Sequence, residues 1–282
     1  MSPIAQILDE KSDFRTWKGA IHQMPTLPQS STQGATDRRT DELSTDTGVD
    51  FEFSFAFQPI VDAVHQEIVS FEALVRGPHG ESSSQVFARV PSASLQCFDQ
   101  ACRTRAIGLA ARLNLRAGLN LNFIPNSSRH APKNVRATLE ASLREGFPVE
   151  HLVFEVSEAE SLRHYSRVGK IFRDYEDRGF GTAIDDFGAG LSGLQMLAEY
   201  QPNYLKLDRN LIADVHENRV KQVLVSGLVG ICRELSIEPI AEGVEKAEEY
   251  HWLRGAGIHL FQGFYFARPV FEALSDVRPN LF

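Results

Sequence analysis

Three short apolar runs in this chain end in acid, and that placement limits the fold more than any other feature. The runs are Val153-Phe154-Glu155, Ala183-Ile184-Asp185-Asp186 and Pro239-Ile240-Ala241-Glu242. A fourth, Ile68-Val69-Ser70-Phe71-Glu72, has the same form, and Leu119-Asn120-Leu121-Asn122 puts an amide at the equivalent place. Short buried strands read as continuous apolar runs. As parallel neighbours they would bring these groups to one carboxyl-terminal edge of a sheet or barrel, where α/β enzymes keep their chemistry. Acidic and amide oxygens gathered there repel one another unless a cation sits among them. Hard divalent ions such as Mg²⁺ or Mn²⁺ match that oxygen-rich set. Taken alone, each acid is better explained as a solvated strand end or a helix N-cap. Recurrence at successive strand ends is what argues for a site.

The chain has 282 residues, 43% hydrophobic and 23% charged, which suits one (β/α)₈-type domain or two small ones. A net charge of -8 argues against a binder of DNA or RNA polymers that relies on a broad basic surface. A phosphate-bearing small substrate is still compatible, because bound metals can supply the positive charge. Cys97, Cys102 and Cys232 show no CxxC spacing and are expected to be reduced, mostly buried thiols. Met1–Met24 is interrupted by Asp9, Glu10, Lys11, Asp13 and Arg15, unlike a secretory signal. The apolar stretch Val223–Cys232 is too short to span a bilayer. The expectation is a cytoplasmic protein without membrane insertion.

Residues 1–50 differ from the rest. Ile4–Met24 has the pattern of one short amphipathic helix, and Pro25–Asp50 is rich in Ser, Thr, Asp, Gln and Gly. Such a segment buries too little apolar surface to offset its ordering entropy, so it reads as a flexible linker. The helix before it is either a regulatory element that recruits a protein partner or a remnant without a role. From residue 51 to 282 strand and helix patterns alternate, with strands at 53–62, 67–76, 118–124, 151–156, 181–186, 203–208, 237–242 and 259–264. Helical patterns cover 94–115, 133–145, 160–178, 192–199, 217–235 and 245–255, with Gly146, Gly179, Gly255 and Gly257 where helices should stop. Only Ala63–Gln66 separate the first two strands, too few for a parallel crossover, so these pair antiparallel. The fold class predicted is α/β: a (β/α)₈ TIM-like barrel with an antiparallel first strand.

At this point the residues resemble a known family. Phe57-Gln58-Pro59-Ile60-Val61-Asp62 followed by Glu72-Ala73-Leu74-Val75-Arg76 is similar to the opening signature of EAL domains, the phosphodiesterases of cyclic di-GMP. The resemblance continues in order through Asn122, Phe154-Glu155-Val156-Ser157-Glu158 and Ile184-Asp185-Asp186-Phe187-Gly188-Ala189-Gly190. It closes with Leu205-Lys206-Leu207-Asp208-Arg209, Ala241-Glu242-Gly243-Val244-Glu245 and Gln262-Gly263-Phe264-Tyr265-Phe266-Ala267-Arg268-Pro269. Seven collinear blocks over roughly 53–275 make it specific. A lone tripeptide would not, since Glu272-Ala273-Leu274 repeats it on an expected helix without a preceding strand.

The resemblance implies a two-metal hydrolysis of cyclic di-GMP to linear pGpG by a cytoplasmic homodimer, using two Mg²⁺ or Mn²⁺ ions per site and inhibited by Ca²⁺. Two metals can activate a water and hold phosphate oxygens for in-line attack. By the same resemblance Glu72, Asn122, Glu155 and Asp185 ligate one metal, and Asp185 bridges to a second held by Asp186, with Glu242 nearby or ligating through water. Lys206 holds or deprotonates the attacking water, Asp208 orients that lysine, and Glu245 supports the metal shell. Near metal cations the Lys206 ammonium is disfavoured, so its pKa is expected to fall. Gln58, Arg76 and Gln262 are the candidate substrate contacts, Arg76 because a guanidinium binds two phosphate oxygens. Glu158 fixes the loop at Phe187, Gly188 and Gly190 that couples the metals to dimerisation. The usual Thr before Glu158 is Ser157, which keeps the hydroxyl. The usual Trp after Arg76 is Gly77, a change expected to loosen the substrate pocket. The rival expectation is a catalytically silent domain that binds cyclic di-GMP or a protein partner. A different two-metal phosphoesterase on the same barrel is a third.

Overall fold

The computed structural model describes residues 48–125, 131–159, 165–190, 193–277 and 281. The expected N-terminal helix and most of the linker therefore lie outside the described residues. Strands β1 (Ser54–Asp62) and β2 (Glu67–Arg76) form the antiparallel hairpin, from Ser54 opposite Arg76 to Asp62 opposite Glu67, with a register shift between Ile60 and Val61. Asp62 Oδ1 accepts the N–H groups of Val64 and His65 at 2.6 and 3.0 Å, so one side chain satisfies the turn's amides. Helices α1 (Ser83–Phe87) and α2 (Leu95–Arg112) lead into β3 (Gly118–Asn122). Then come α3 (Ala131–Glu145), β4 (Leu152–Ser157), α4 (Tyr165–Glu176), β5 (Gly181–Phe187) and α5 (Gly193–Glu199). The chain continues through β6 (Tyr204–Leu207), α6 (Arg209–Ile212), α7 (Arg219–Leu235), β7 (Glu238–Ala241), α8 (Ala247–Gly255) and β8 (Leu260–Phe261).

From β2 to β8 each strand pairs in parallel with the next, and β1 closes the ring antiparallel to both β2 and β8. This is the expected closed α/β barrel with a reversed first strand. The parallel strands aim their carboxyl-terminal ends at one mouth, and β1 brings its amino-terminal end there. Phe55, Phe98, Phe154, Phe172 and Phe180 belong to the main core cluster. Inside the barrel Ile60, Ile240 and Leu260 cluster with Val69 and Tyr204. Tyr204 and Ile240 stand two residues before Lys206 and Glu242, so with a side-chain period of two this apolar plug forms the floor beneath the charged residues.

Three expectations are corrected. The strand set at 259–264 keeps only Leu260–Phe261. Gln262 to Phe266 fold back on Val244, whose N–H donates to Gln262 O and whose carbonyl accepts from Tyr265 N–H, both at 3.0 Å. The second Glu-Ala-Leu is not helical: a short strand β9 (Val270–Phe271) pairs with β1, and Glu272 follows with a left-handed φ of 49°. Of the three thiols only Cys232 is buried, while Cys97 is exposed. Helix stops agree better. Gly146, Gly179 and Gly257 all take positive φ, although α7 ends on Ser236, left-handed at 59° without being a glycine. Among the described residues no helix is long and apolar enough to cross a membrane.

Candidate active site

Strand periodicity turns the mouth end of the barrel polar on its inner face. Lys206, on β6, is fully buried, and its Nζ lies 2.9 Å from Asp185 Oδ1, 3.1 Å from Glu72 Oε2, 3.1 Å from Glu155 Oε2 and 3.5 Å from Glu242 Oε2. Four carboxylates, on or just after four different strands, thus surround one ammonium. The ligand oxygens form two groups, Glu72 with Glu155 and Asp185, and Asp185 with Asp186 and Glu242, each spanning no more than 4.8 Å. Asp185 belongs to both groups. Asp186 reaches the mouth beside it because the backbone there is left-handed, at φ 55°, and the β5–β6 register shifts between Ile184 and Phe187. A regular strand would have sent the two aspartates to opposite faces.

Burial and crowding decide which groups keep their charge. Burial is the largest influence on Glu155 and lifts it to about 8 despite Lys206, with Glu72 and Asp185 adding to the rise. Burial likewise drives Glu242 well above the carboxylate range. Partial burial and then the Asp185 charge raise Asp186 to about 6. For Asp185 burial is outweighed by Lys206 and by hydrogen bonds, so it stays below the ordinary value. Burial alone would lower Lys206, but Asp185, Glu155, Glu242 and Glu72 together raise it well above an ordinary lysine. Without metals the site therefore keeps Lys206 as an ammonium.

One ammonium does not balance five acids. Asp185 Oδ1 and Glu242 Oε2 are shut off from water, and the Lys206 ammonium lies 2.9 and 3.5 Å from them. An all-oxygen set with unsatisfied lone pairs and a shared aspartate fits hard divalent cations. Asn122, at the end of β3, donates from Nδ2 to Glu72 Oε1 at 3.0 Å, so it lies beside the first group.

The remaining candidates have other partners. Gln262 is buried and donates to Glu72 Oε2 at 2.8 Å and to Gln58 Oε1 at 3.4 Å, while Gln58 donates to Ala267 O at 3.2 Å. Arg76 gives Nη1 to Val75 O and Ser83 Oγ, at 2.8 and 2.9 Å. Asp208 is not among the groups holding Lys206. It caps α6 by accepting Asn210 N–H at 2.8 Å, because β6 ends at Leu207 and the chain turns away. Glu245 pairs with Arg209 at 3.0 Å. Glu158 is buried, and its Oε2 accepts the N–H groups of Gly188 and Gly190 at 2.9 and 3.0 Å, tying down the loop that follows Phe187. At Gly77 the space of a side chain is taken: a Cβ there would lie 2.3 Å from Glu81 Oε2.

Two residues without an assigned role also matter. Asn120 is buried and donates from Nδ2 to Glu155 Oε1 at 2.7 Å. Glu249 is fully buried and accepts the N–H groups of Asp214, Glu245 and Lys246, which fixes the loop after Glu242. Its place three residues after Lys246, at the start of α8, is a capping position readable from sequence.

The fold and this ring define an α/β barrel whose mouth carries the donor set of a divalent-cation site. The chain belongs to the EAL domain family, which it matches over residues 41–269. A standalone EAL protein from Vibrio cholerae O395, solved with c-di-GMP bound, is 45% identical, with a TM-score of 0.79 over 83% of this chain and 98% of that one. Klebsiella pneumoniae BlrP1, solved with manganese and cyclic di-GMP, is 37% identical, with a TM-score of 0.76 over 80% of this chain and 58% of its own. Among curated relatives, the blue light- and temperature-regulated antirepressor BluF of Escherichia coli is 29% identical over 79% of this chain and 56% of its own length. The probable cyclic di-GMP phosphodiesterase PdeD of the same organism is 26% identical over 78% and 42%. The chain thus spans little more than half of BluF and less than half of PdeD.

Proposed function

We propose that this protein is a metal-dependent phosphodiesterase that hydrolyses cyclic di-GMP to linear 5'-pGpG. The observation that carries the reading is the pair of carboxylate groups sharing Asp185 around a buried Lys206. Family membership, and relatives solved with cyclic di-GMP and manganese, give the substrate and the cofactor class. Glu72, Asn122, Glu155 and Asp185 would hold one Mg²⁺ or Mn²⁺, and Asp185, Asp186 and Glu242 the second. Such cations, when bound, neutralise phosphate charge and make a water acidic enough to attack near neutral pH.

The chain's own residues do the rest. A water oxygen adds to phosphorus, one P–O3' bond breaks, and the departing 3'-oxygen ends with a proton. Lys206, at the centre of these carboxylates, would hold and orient that water. To act as a base it must first shed a proton that those carboxylates retain. Asn122 and Gln262 keep Glu72 directed at the site. Arg76 at the mouth edge is the candidate phosphate contact, through the guanidinium nitrogens that Val75 and Ser83 leave unused. The loop fixed by Glu158 is the proposed link to a homodimer.

A second reading has one specific observation behind it: BluF is by name an antirepressor, so a chain of this fold can serve by binding a partner. Incubating purified protein with cyclic di-GMP and Mn²⁺ or Mg²⁺, then separating the products by chromatography, decides between them. Metal-dependent pGpG that a chelator abolishes supports the enzyme. Tight cyclic di-GMP binding with no product supports the silent domain.

A further inference from the structure

We infer that Asn120, a residue outside the metal-ligand set, is a positioning residue that orients Glu155 for metal binding. Its contacts give it no other evident task. Asn120 lies on β3 opposite Val153 of β4, two residues before Asn122, so both asparagines face the barrel interior. The side chain is 1% exposed and Nδ2 donates to Glu155 Oε1 at 2.7 Å. Glu155 is itself fully buried, and its other oxygen, Oε2, sits 3.1 Å from Lys206 Nζ. The carboxylate is therefore held at both ends, by an amide at one oxygen and an ammonium at the other. This fixes its rotation and aims it at Glu72 and Asp185, with which it forms the first cation group.

The amide's orientation has one sensible choice. Asn120 Oδ1 is buried and has no hydrogen-bond partner among the described residues. As a metal ligand Glu155 must be ionised, and turning the amide over would then press Oδ1 against a second acceptor. An unpartnered buried acceptor is costly, so the structure tolerates Oδ1 to keep Nδ2 on Glu155. Groups that hold a ligand's far side orient it, and their loss typically weakens metal binding 10–100-fold.

The inference rests on the metal-site reading above, and its test is chosen to separate the two. Mn²⁺ is titrated calorimetrically into the chelator-stripped wild-type chain and Asn120→Leu, which keeps the branched shape but donates nothing. The expected result is Mn²⁺ binding roughly 10–100-fold weaker in the variant, with the metal-free melting temperature read alongside. Asn120→Ser, whose hydroxyl can still donate, should recover part of the affinity, and it serves if the leucine variant does not fold. A purely structural role would lower the metal-free melting temperature and leave the Mn²⁺ affinity alone. Affinity within threefold of wild type in a folded variant overturns the inference. Wild type that binds no Mn²⁺ overturns the metal reading and the inference with it. Wild type that binds Mn²⁺ but turns over no cyclic di-GMP overturns the proposed enzyme only, since this readout needs no turnover.

Discussion

Replacing Lys206 with methionine removes the single cation from a ring of four carboxylates 2.9–3.5 Å away. The side chain length is kept and the charge is lost. Breaking a buried ion pair by removing one partner costs about 3–5 kcal/mol. With a raised folded-state pKa, Lys206 contributes its stability fully below the unfolded lysine value and loses it only above the folded one. Its contribution is thus constant from pH 6 to 9. The carboxylates behave differently. Glu155, lifted to about 8, and Glu242, also raised by burial, take up protons as pH falls and relieve the uncompensated charge. The loss should therefore lie near the lower bound at pH 6 and near the upper bound at pH 9. For a domain of this size each kcal/mol moves the melting temperature by roughly 2–4 °C, so the fall is roughly 6–20 °C, larger at high pH. Thermal unfolding followed by circular dichroism in excess chelator reads this directly. Saturating Mn²⁺ should recover much of it, because it brings positive charge into the same ring. A melting temperature within about 2 °C of wild type in chelator, at both pH values, refutes the assignment of Lys206 as the ring's counter-charge.

Other outcomes follow from the same geometry. Metal-free Glu155 and Asp186 hold protons up to about pH 8 and 6, so Mn²⁺ affinity should climb across that window with net proton release. Calorimetry in two buffers of different ionisation enthalpy measures this, and a pH-independent affinity with no released protons contradicts it. Because both folded-state values are raised, the metal-free protein should also lose stability as pH rises through the same window. Glu158→Ala strands the Gly188 and Gly190 amides and should cost about 1–3 kcal/mol, visible as a lower denaturation midpoint; no change would show the loop to be held elsewhere. Gly188→Ala places a Cβ 2.1 Å from Leu211 at a φ of 98° and should destabilise more than Glu158→Ala. Glu72→Ala should cut turnover by at least ~10²-fold, and a drop below threefold with folding intact removes Glu72 from the mechanism.

The barrel and the ring were legible in the chain because both depend on periodicity. Acids ending apolar runs forecast Glu72, Glu155, Asp185 and Glu242 at one mouth, and four of those runs lie on neighbouring or near-neighbouring parallel strands. The short Ala63–Gln66 turn forecast the reversed first strand. What failed were residues where the strand stops. Lys206-x-Asp208 suggested one face, but β6 ends at Leu207 and Asp208 became a helix cap. The strand expected through Gln262 stops at Phe261, where the chain folds back on Val244. Asn120 could have been found, since it shares the period of Asn122. Glu81 could not. Its occupation of the space over Gly77 depends on how the Gly77–Glu81 turn closes, through Gly77 N–H to Glu81 O at 3.0 Å, which no spacing rule reveals.

The most direct test is a stepwise Mn²⁺ titration of chelator-stripped protein, with cyclic di-GMP hydrolysis assayed at each addition. No pGpG is expected before metal, then a rate that rises until two equivalents are bound, and in Glu72→Ala a rate at least ~10²-fold lower at every metal level. Hydrolysis in excess chelator, or two tightly bound equivalents with cyclic di-GMP bound and untouched, would contradict the proposed metal-dependent hydrolysis.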